Sequence, residues 1–218
     1  MTADAIASRA AGIVASRAKR AFDIAFALAG LIVTAPVWLV VPLAIRLDDG
    51  GPIFYGQPRS GLHGRVFHVW KFRSMIVDAD REGPRQAAAG DARVTRVGRI
   101  LRQTAMDELP QLLNILRGEM SVVGPRALRP GEIETGGHGE PVALEDVPGF
   151  ETRSLVRPGL TGIAQIHARR DLPRRQKFRY DRFYIRRQSW WLDARLVLRS
   201  LVITMRGSWE HRGSSRTR

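Results

Sequence analysis

Residues 104–126 read TAMDELPQLLNILRGEMSVVGPR, and the rest of the chain is organised around this stretch. Asp107 and Glu108 stand side by side just ahead of a helix start, and Pro110 suits a first helical turn, where its missing N–H costs nothing. Leu109, Leu112, Leu113, Leu116 and Met120 recur at helical spacing and predict one apolar face. Gly118 marks the helix end, and Gly124-Pro125-Arg126 forms a rigid turn that presents a guanidinium. Carboxylates at a helix N-terminus are expected to stay ionised, because the macrodipole and free N–H groups favour the charged form. The same end attracts phosphate. A carboxylate nucleophile, a metal-binding carboxylate and a cationic clamp in one segment suit chemistry on a pyrophosphate. Taken alone, an Asp-Glu pair before a proline is ordinary capping; only its company in the chain argues for more.

That company begins with charge. The chain has 218 residues, enough for one domain with a core, and carries 35 basic against 21 acidic residues for a formal net charge of +14. Such a balance points to a polyanionic partner: nucleic acid, anionic lipid or a phosphorylated substrate. The absence of cysteine excludes disulfides and thiolate metal sites, and the five histidines lack the spacing of a zinc centre.

Residues 1–18 are Ala-rich and predict a loose or helical arm. Lys19 and Arg20 then precede an apolar run over residues 21–45 that only Asp23 interrupts. The uncharged part, residues 24–45, would be roughly 33 Å long as a straight helix, enough to cross a bilayer. Pro36 and Pro42 break the run, and basic residues flank both of its ends. A single crossing would leave one basic set outside, against the positive-inside tendency, whereas a helix that bends at Ala35-Pro36 and returns keeps both ends on one face. An ordinary span and a buried core helix remain the competing readings of this run.

Downstream, residues 47–64 are rich in turn formers, with Ile53-Phe54-Tyr55 as a short strand, and RVFHVWKFRSM over residues 65–75 alternates as a second strand. Lys71 and Arg73 fall on one face of it, either as a cationic patch or as a solvated strand face. Residues 78–98 read as an exposed charged loop, with Gly83-Pro84 and the alanines 87–89. Arg102 lies close enough in sequence to Asp107 to share a site. Residues 127–150, containing GGHGEP, read as a polar connection, and residues 157–162, RPGLTG, as a compact turn. In the basic stretch 169–187, Arg175, Arg179, Arg182 and Arg186 share a helix face, with Tyr180 and Tyr184 beside them. An anionic membrane surface is the economical partner for that face. Trp190 and Trp191 open an amphipathic segment with Ala194, Val197, Leu198, Leu201 and Met205 on one side, readable as an interfacial or a core helix.

In this order, KRAFDIAFALAGLIVTAP, GPIFYGQPRSG, VWKFRSM, DARVTRVGRILRQTAMDELPQLLNILRGEMSVVGPR, RPGLTGIAQI and KFRYDRFYI resemble the bacterial sugar transferases of the monotopic phosphoglycosyl transferase family. The resemblance runs from about Lys19 to Met205. It implies a re-entrant membrane helix and a two-step reaction between a nucleoside diphosphate sugar, a UDP-sugar above all, and polyprenyl (undecaprenyl) phosphate, with release of the nucleoside monophosphate. Asp107 matches the family's nucleophile, and Glu108 the carboxylate that holds Mg²⁺. Lys71, Arg73, Arg102, Arg126 and Asp181 match recurrent phosphate-site positions. Three positions depart from the usual pattern: Ala35 stands where Ser is common before the Pro, Met106 where Ser is common, and Ala127 where a second Pro follows GPR. With Ala35 there, Thr34 is the group left to bond a carbonyl freed at the break.

The resulting expectation is an α+β, mainly helical chain. It has an arm over 1–18, a re-entrant membrane hairpin over 19–46 turning at Ala35 and Pro36, a cytosolic catalytic domain over 47–207 and a disordered tail over 208–218. Short strands and amphipathic interfacial helices, the last anchored by Trp190 and Trp191, complete it. The implied setting is the cytoplasmic face of the inner membrane, with anionic lipids but not nucleic acid as partners, in a minimal form of the enzyme, monomer and homodimer both left open. A non-catalytic, basic, membrane-docked scaffold or nucleic-acid-binding protein is the rival reading; it leaves the Asp107-Glu108 pair unexplained. A glycosyltransferase releasing a nucleoside diphosphate is the rival among enzymes.

Overall fold

A computed structural model describes residues 2–79, 91–134, 141–169 and 172–206, and helices carry most of them. The alanine-rich start forms α1 (Ala3–Ala15), which buries Ile6 and Ala10 in the main core, so the arm is part of the fold. Ser16 ends α1 and caps α2 (Arg17–Val33), its hydroxyl accepting from the Lys19 N–H at 3.1 Å. α2 therefore starts two residues before the expected boundary at Lys19.

Asp23 is a peg rather than an interruption. It lies buried, and one of its oxygens accepts from Ser121 Oγ and the Val122 N–H at 3.0 Å each. Lys19 Nζ, also buried, bridges Asp23 at 3.1 Å and Asp193 at 3.3 Å. Arg20 donates to the carbonyls of Ile115 and Leu116 at 2.6 and 2.7 Å. Polar contacts from these three residues clamp α2 to residues 115–122 and to Asp193.

The chain breaks at Thr34 and continues as α3 (Ala35–Asp49), bent 62° from α2. Thr34 Oγ1 donates to the Gly30 carbonyl at 2.7 Å and accepts from Trp38 Nε1 at 3.3 Å, which is the carbonyl-bonding part expected of Thr34 beside Pro36. Among the described residues no single helix is long and apolar enough to cross a membrane, although the bent pair together has that length and composition. Its outer surface exposes Ile32, Val33, Leu39, Val40, Leu43 and Leu47, a large apolar surface of the kind that marks an interaction site.

Two antiparallel strands follow, β1 (Phe54–Ser60) and β2 (Val66–Phe72), in register from Phe54 opposite Phe72 to Ser60 opposite Val66. The region expected as loop 78–98 ends in order: Met75 bridges Val94, and α4 (Arg96–Gln103) begins at a Thr95 cap. Gly83-Pro84 and the alanine run lie outside the described residues.

The central segment is more broken than its periodicity suggests. Ala105 takes a left-handed φ of 54°, Met106–Glu108 form a single 3₁₀ turn, and α5 (Gln111–Arg117) starts only after Pro110, its N-cap. Gly118 ends α5 at φ 81°, as expected of a left-handed cap. β3 (Ser121–Val123) then runs into Gly124-Pro125-Arg126.

Residues 127–150 contain a short antiparallel pair, β4 (Ile133–Glu134) and β5 (Val142–Ala143), then α6 (Phe150–Ser154) begins; most of GGHGEP falls outside the described residues. The expected RPGLTG turn is in part a strand: β6 (Gly159–Thr161) pairs parallel with β3. Gly159 and Gly162 are required by close approach, since a Cβ would meet Gly124 N at 2.0 Å and Gly124 O at 2.2 Å respectively. α7 (Ile163–His167), α8 (Arg174–Arg187) and α9 (Trp190–Met205) complete the chain. Arg175, Arg179, Arg182 and Arg186 are all exposed on α8, whereas Tyr184 is buried and donates to the Val123 carbonyl and Asp193, both at 3.0 Å.

The stripe expected along α9 divides. Val197 packs inward with Leu196 and Ile203, while Leu198, Leu201 and Met205 remain exposed, as do Trp190 and Trp191. Trp190 keeps an edge contact to Phe22 of α2 at 5.6 Å. The tail over 208–218 lies outside the described residues.

Candidate active site

Lys71, the second-last residue of β2, brings the two adjacent carboxylates under one charge. Its Nζ lies 2.6 Å from Glu108 Oε1 and 3.6 Å from Asp107 Oδ2. Arg126 Nη2 approaches the same Glu108 oxygen at 3.7 Å. Because β2 packs against the 3₁₀ turn, a strand-end cation reaches residues far along the chain that sequence spacing could not pair.

The expectation that both carboxyls are held ionised by a helix N-terminus is corrected here. They precede α5, and their environments differ. Burial pushes the Asp107 carboxyl up, its neighbour Glu108 adding to the effect, with Lys71, Arg102 and Arg126 opposing. Burial would raise Glu108 too, but Lys71 and Arg126 outweigh it and bring it down to about 2. One carboxyl is a firm anion; the other is a desolvated, less stabilised one. Poor solvation makes an oxyanion a stronger nucleophile once it is ionised.

Both border a cavity of about 1330 Å³. Its lining includes a cationic set, Arg59, Lys71, Arg102, Arg126 and Arg129, and an apolar set, Phe26, Ala29, Val33 and Val37 of the bent helix pair with Val197 and Leu201 of α9. A polar head and a long apolar tail could share this space.

Two of the expected site residues also carry structural ion pairs. Arg73 lines the cavity and also lies buried, pairing with Asp49 through both terminal nitrogens, with Nε donating to the Pro52 carbonyl at 2.5 Å. Strand β2 ends at Phe72, so Arg73 leaves the alternation that would have aligned it with Lys71. Asp181 borders the cavity but spends its carboxylate on Arg153 Nε at 2.9 Å. Arg153 in turn donates to the Arg126 carbonyl and stacks over Phe178 at 4.9 Å. Through Arg153, Asp181 is linked to the backbone of the Gly124-Pro125-Arg126 turn. Arg102 borders the cavity and its charge favours ionised Asp107.

Sequence reasoning misses Arg59, Arg129 and Arg153. Arg59 carries a signal, its two-residue spacing from Gln57 on one strand face. Arg153 carries none, because its partners lie 27 and 28 residues away.

Magnesium suits this donor set. Among the described residues no group of three or more acidic or histidine side chains gathers, yet Mg²⁺ commonly takes one or two carboxylates and fills its octahedron with water and substrate phosphate oxygens. Glu108, ionised and facing the cavity, offers such a ligand.

The chain has recognisable relatives among known proteins. The chain is 45% identical over 187 residues to the Undecaprenyl-phosphate glucose phosphotransferase of Komagataeibacter xylinus, covering 82% of this chain and 34% of that protein, so it spans about a third of that relative's length. It is 43% identical over 190 residues to the Exopolysaccharide production protein PSS of Rhizobium leguminosarum bv. phaseoli, covering 84% of this chain and 93% of that one. With the UDP-glucose:undecaprenyl-phosphate glucose-1-phosphate transferase of Caulobacter vibrioides the identity is 41% over 188 residues, 84% and 68% of the two chains. The family model described as bacterial sugar transferase matches residues 14–207. From the α2 clamp to the last helix, then, this chain belongs to the bacterial sugar transferase family.

Proposed function

We propose that this protein transfers a phosphosugar from a UDP-sugar to undecaprenyl phosphate and releases UMP, as a membrane-bound initiating step of exopolysaccharide synthesis. The observation that carries this is Asp107, buried 3.6 Å from Lys71 and next to Glu108, in a cavity with both cationic and apolar walls. The relatives' names supply the substrate class.

In the first step an Asp107 carboxylate oxygen attacks the phosphorus that bears the sugar. The bond from that phosphorus to the bridging oxygen breaks, and the nucleoside monophosphate leaves with its electron pair. In the second step an oxygen of the lipid phosphate attacks the same phosphorus and releases Asp107, leaving a sugar on a lipid diphosphate. Lys71 lies where it offsets anionic charge on both carboxylates as one anion approaches another. Arg126, held by Arg153, offers the donor a fork of N–H groups. Glu108 would hold Mg²⁺, which when bound neutralises pyrophosphate charge.

The membrane reading rests on the bent helix pair and its exposed apolar face. α2 and α3 dip into one leaflet as a hairpin turning at Ala35 and Pro36 and return to the cytoplasmic face. Trp190, Trp191 and the exposed apolar residues of α9 sit at the headgroup level, and the arginine face of α8 meets anionic lipid.

The decisive experiment mixes the protein with UDP-glucose and related UDP-sugars without lipid. Intact-mass spectrometry should show added phosphosugar mass together with UMP, and Asp107→Asn should show neither. Turnover by an unmodified enzyme, or release of UDP, would sink the covalent route.

A further inference from the structure

We propose that Arg59 and Arg129, together with Arg126, form the seat for the nucleotide-side phosphate of the donor, where the nucleoside monophosphate stays bound after the sugar-bearing phosphate has moved to Asp107. This rests on the transfer reaction proposed above and assigns the leaving half of the donor to specific residues.

Two contacts bring these arginines together. The Ser60 N–H donates to the Leu128 carbonyl at 2.8 Å, and Arg59 Nη1 donates to the Ala127 carbonyl at 3.1 Å. They staple β1 against the segment that follows Gly124-Pro125-Arg126. Arg59, Arg126 and Arg129 all line the cavity as a result.

Negative charge around them is scarce. Arg59 bonds only neutral acceptors, the Gln57 amide oxygen and the Ala127 carbonyl, and among the described residues neither Arg59 nor Arg129 forms an ion pair. Arg126 meets Glu108 at 3.7 Å, and the nearby Glu132 carboxylate is engaged by Arg174. Guanidinium groups crowded this way repel one another. Burial, with the charges of Arg126 and Arg129, pulls Arg59 down to about 10. A bound phosphate would relieve that repulsion and accept the unused guanidinium N–H groups.

The order along the cavity gives the phosphate its identity. Lys71 pairs with both carboxylates, whereas Arg126 pairs with Glu108 at 3.7 Å and Arg59 is tied to the residue that follows Arg126, so the arginine cluster adjoins Glu108. In-line displacement needs the leaving oxygen opposite the attacking one. With the sugar-bearing phosphorus next to Asp107, the outgoing phosphate falls toward Arg126, Arg59 and Arg129.

The test uses the full chain in detergent, with UMP and uridine as probes in calorimetric titrations and the lipid-free adduct assay run in parallel. Wild type should bind UMP well above uridine. Arg59→Gln and Arg129→Gln should each weaken UMP binding tenfold to a hundredfold, roughly the effect of losing a charge-assisted bond. Both should leave weak uridine binding unchanged and raise the UMP concentration needed to inhibit adduct formation. Arg59→Lys should recover part of the loss. Arg129→Gln, with no described side-chain bond to break, covers the case in which Arg59→Gln fails to fold. Variants that bind UMP as tightly as wild type, or a wild type that prefers UMP no more than uridine, would overturn the seat while leaving the covalent route intact. UMP binding lost in the variants of a wild type that forms no adduct would overturn the reaction instead and leave the phosphate seat standing.

Discussion

Lys71 sits 2.6 Å from the Glu108 carboxylate. It sits a full ångström farther, at 3.6 Å, from Asp107. The cation thus stabilises the residue suited to hold a metal more than the residue suited to attack. Removing Lys71 has a definite consequence for pH. Asp107 must be ionised to react, and its folded-state pKa is already raised. Adduct formation should therefore fall as pH drops through a value above the usual 3.8. Lys71→Met removes the charge that opposes the shift, so this acidic limb should move to higher pH, with a rate loss on the order of 10²-fold or more at neutral pH. Adduct formation rate against pH measures both. An unmoved limb would mean that Lys71 acts only on Glu108.

Arg153 and Asp181 form a buried pair at 2.9 Å that holds the backbone of Arg126. Removing one partner of such a pair strands a buried charge and costs about 3–5 kcal/mol. Asp181→Asn should lower the melting temperature and weaken UDP-sugar use while leaving vesicle binding intact. Asp181 with a direct phosphate role would show the kinetic loss without the thermal one.

The hairpin makes a topological prediction, and the absence of native cysteine makes it easy to read. Single cysteines at the exposed positions Ala11 and Arg65 should react with an impermeant thiol reagent from the same, cytoplasmic side. Labelling from opposite sides would establish a crossing. Pro36→Ala together with Thr34→Val restores a helical donor and removes the hydroxyl that bonds Gly30, so the 62° bend should open.

Arg179 and Arg182 lie exposed on α8, away from the residues that line the cavity. Replacing both with Gln should weaken binding to anionic vesicles by about 2 kcal/mol, roughly thirtyfold, at low salt and progressively less as salt rises. Lipid-free adduct formation should be unchanged. Arg126→Gln should do the reverse. If the two variants gave one phenotype, the division between lipid face and substrate clamp would be wrong.

Elements whose causes are local are legible in the residues themselves. The break at Thr34, just ahead of Pro36, follows from a proline's missing donor, the end of α5 at Gly118 from a left-handed residue, and the exposed arginine face of α8 from a 3.6-residue repeat. The Asp107-Glu108 pair is visible as a candidate because two acids stand out in a strongly basic chain. Their unequal character is not. It depends on how deeply each is buried and on a lysine 36 and 37 positions earlier, and only packing of β2 against the 3₁₀ turn sets those distances. Arg73 and Asp181 read as site residues, but side-chain type does not specify which protein groups they pair with. Packing supplies Asp49 and Arg153 as those partners, since a buried ion is costly to leave unpaired. Asp23 reads as a flaw in a membrane helix, yet β3 supplies the N–H and hydroxyl that it holds. The sequence alone settles which residues can do chemistry and where helices must break. Tertiary structure decides which charges meet, because burial and long-range pairing are properties of the folded chain.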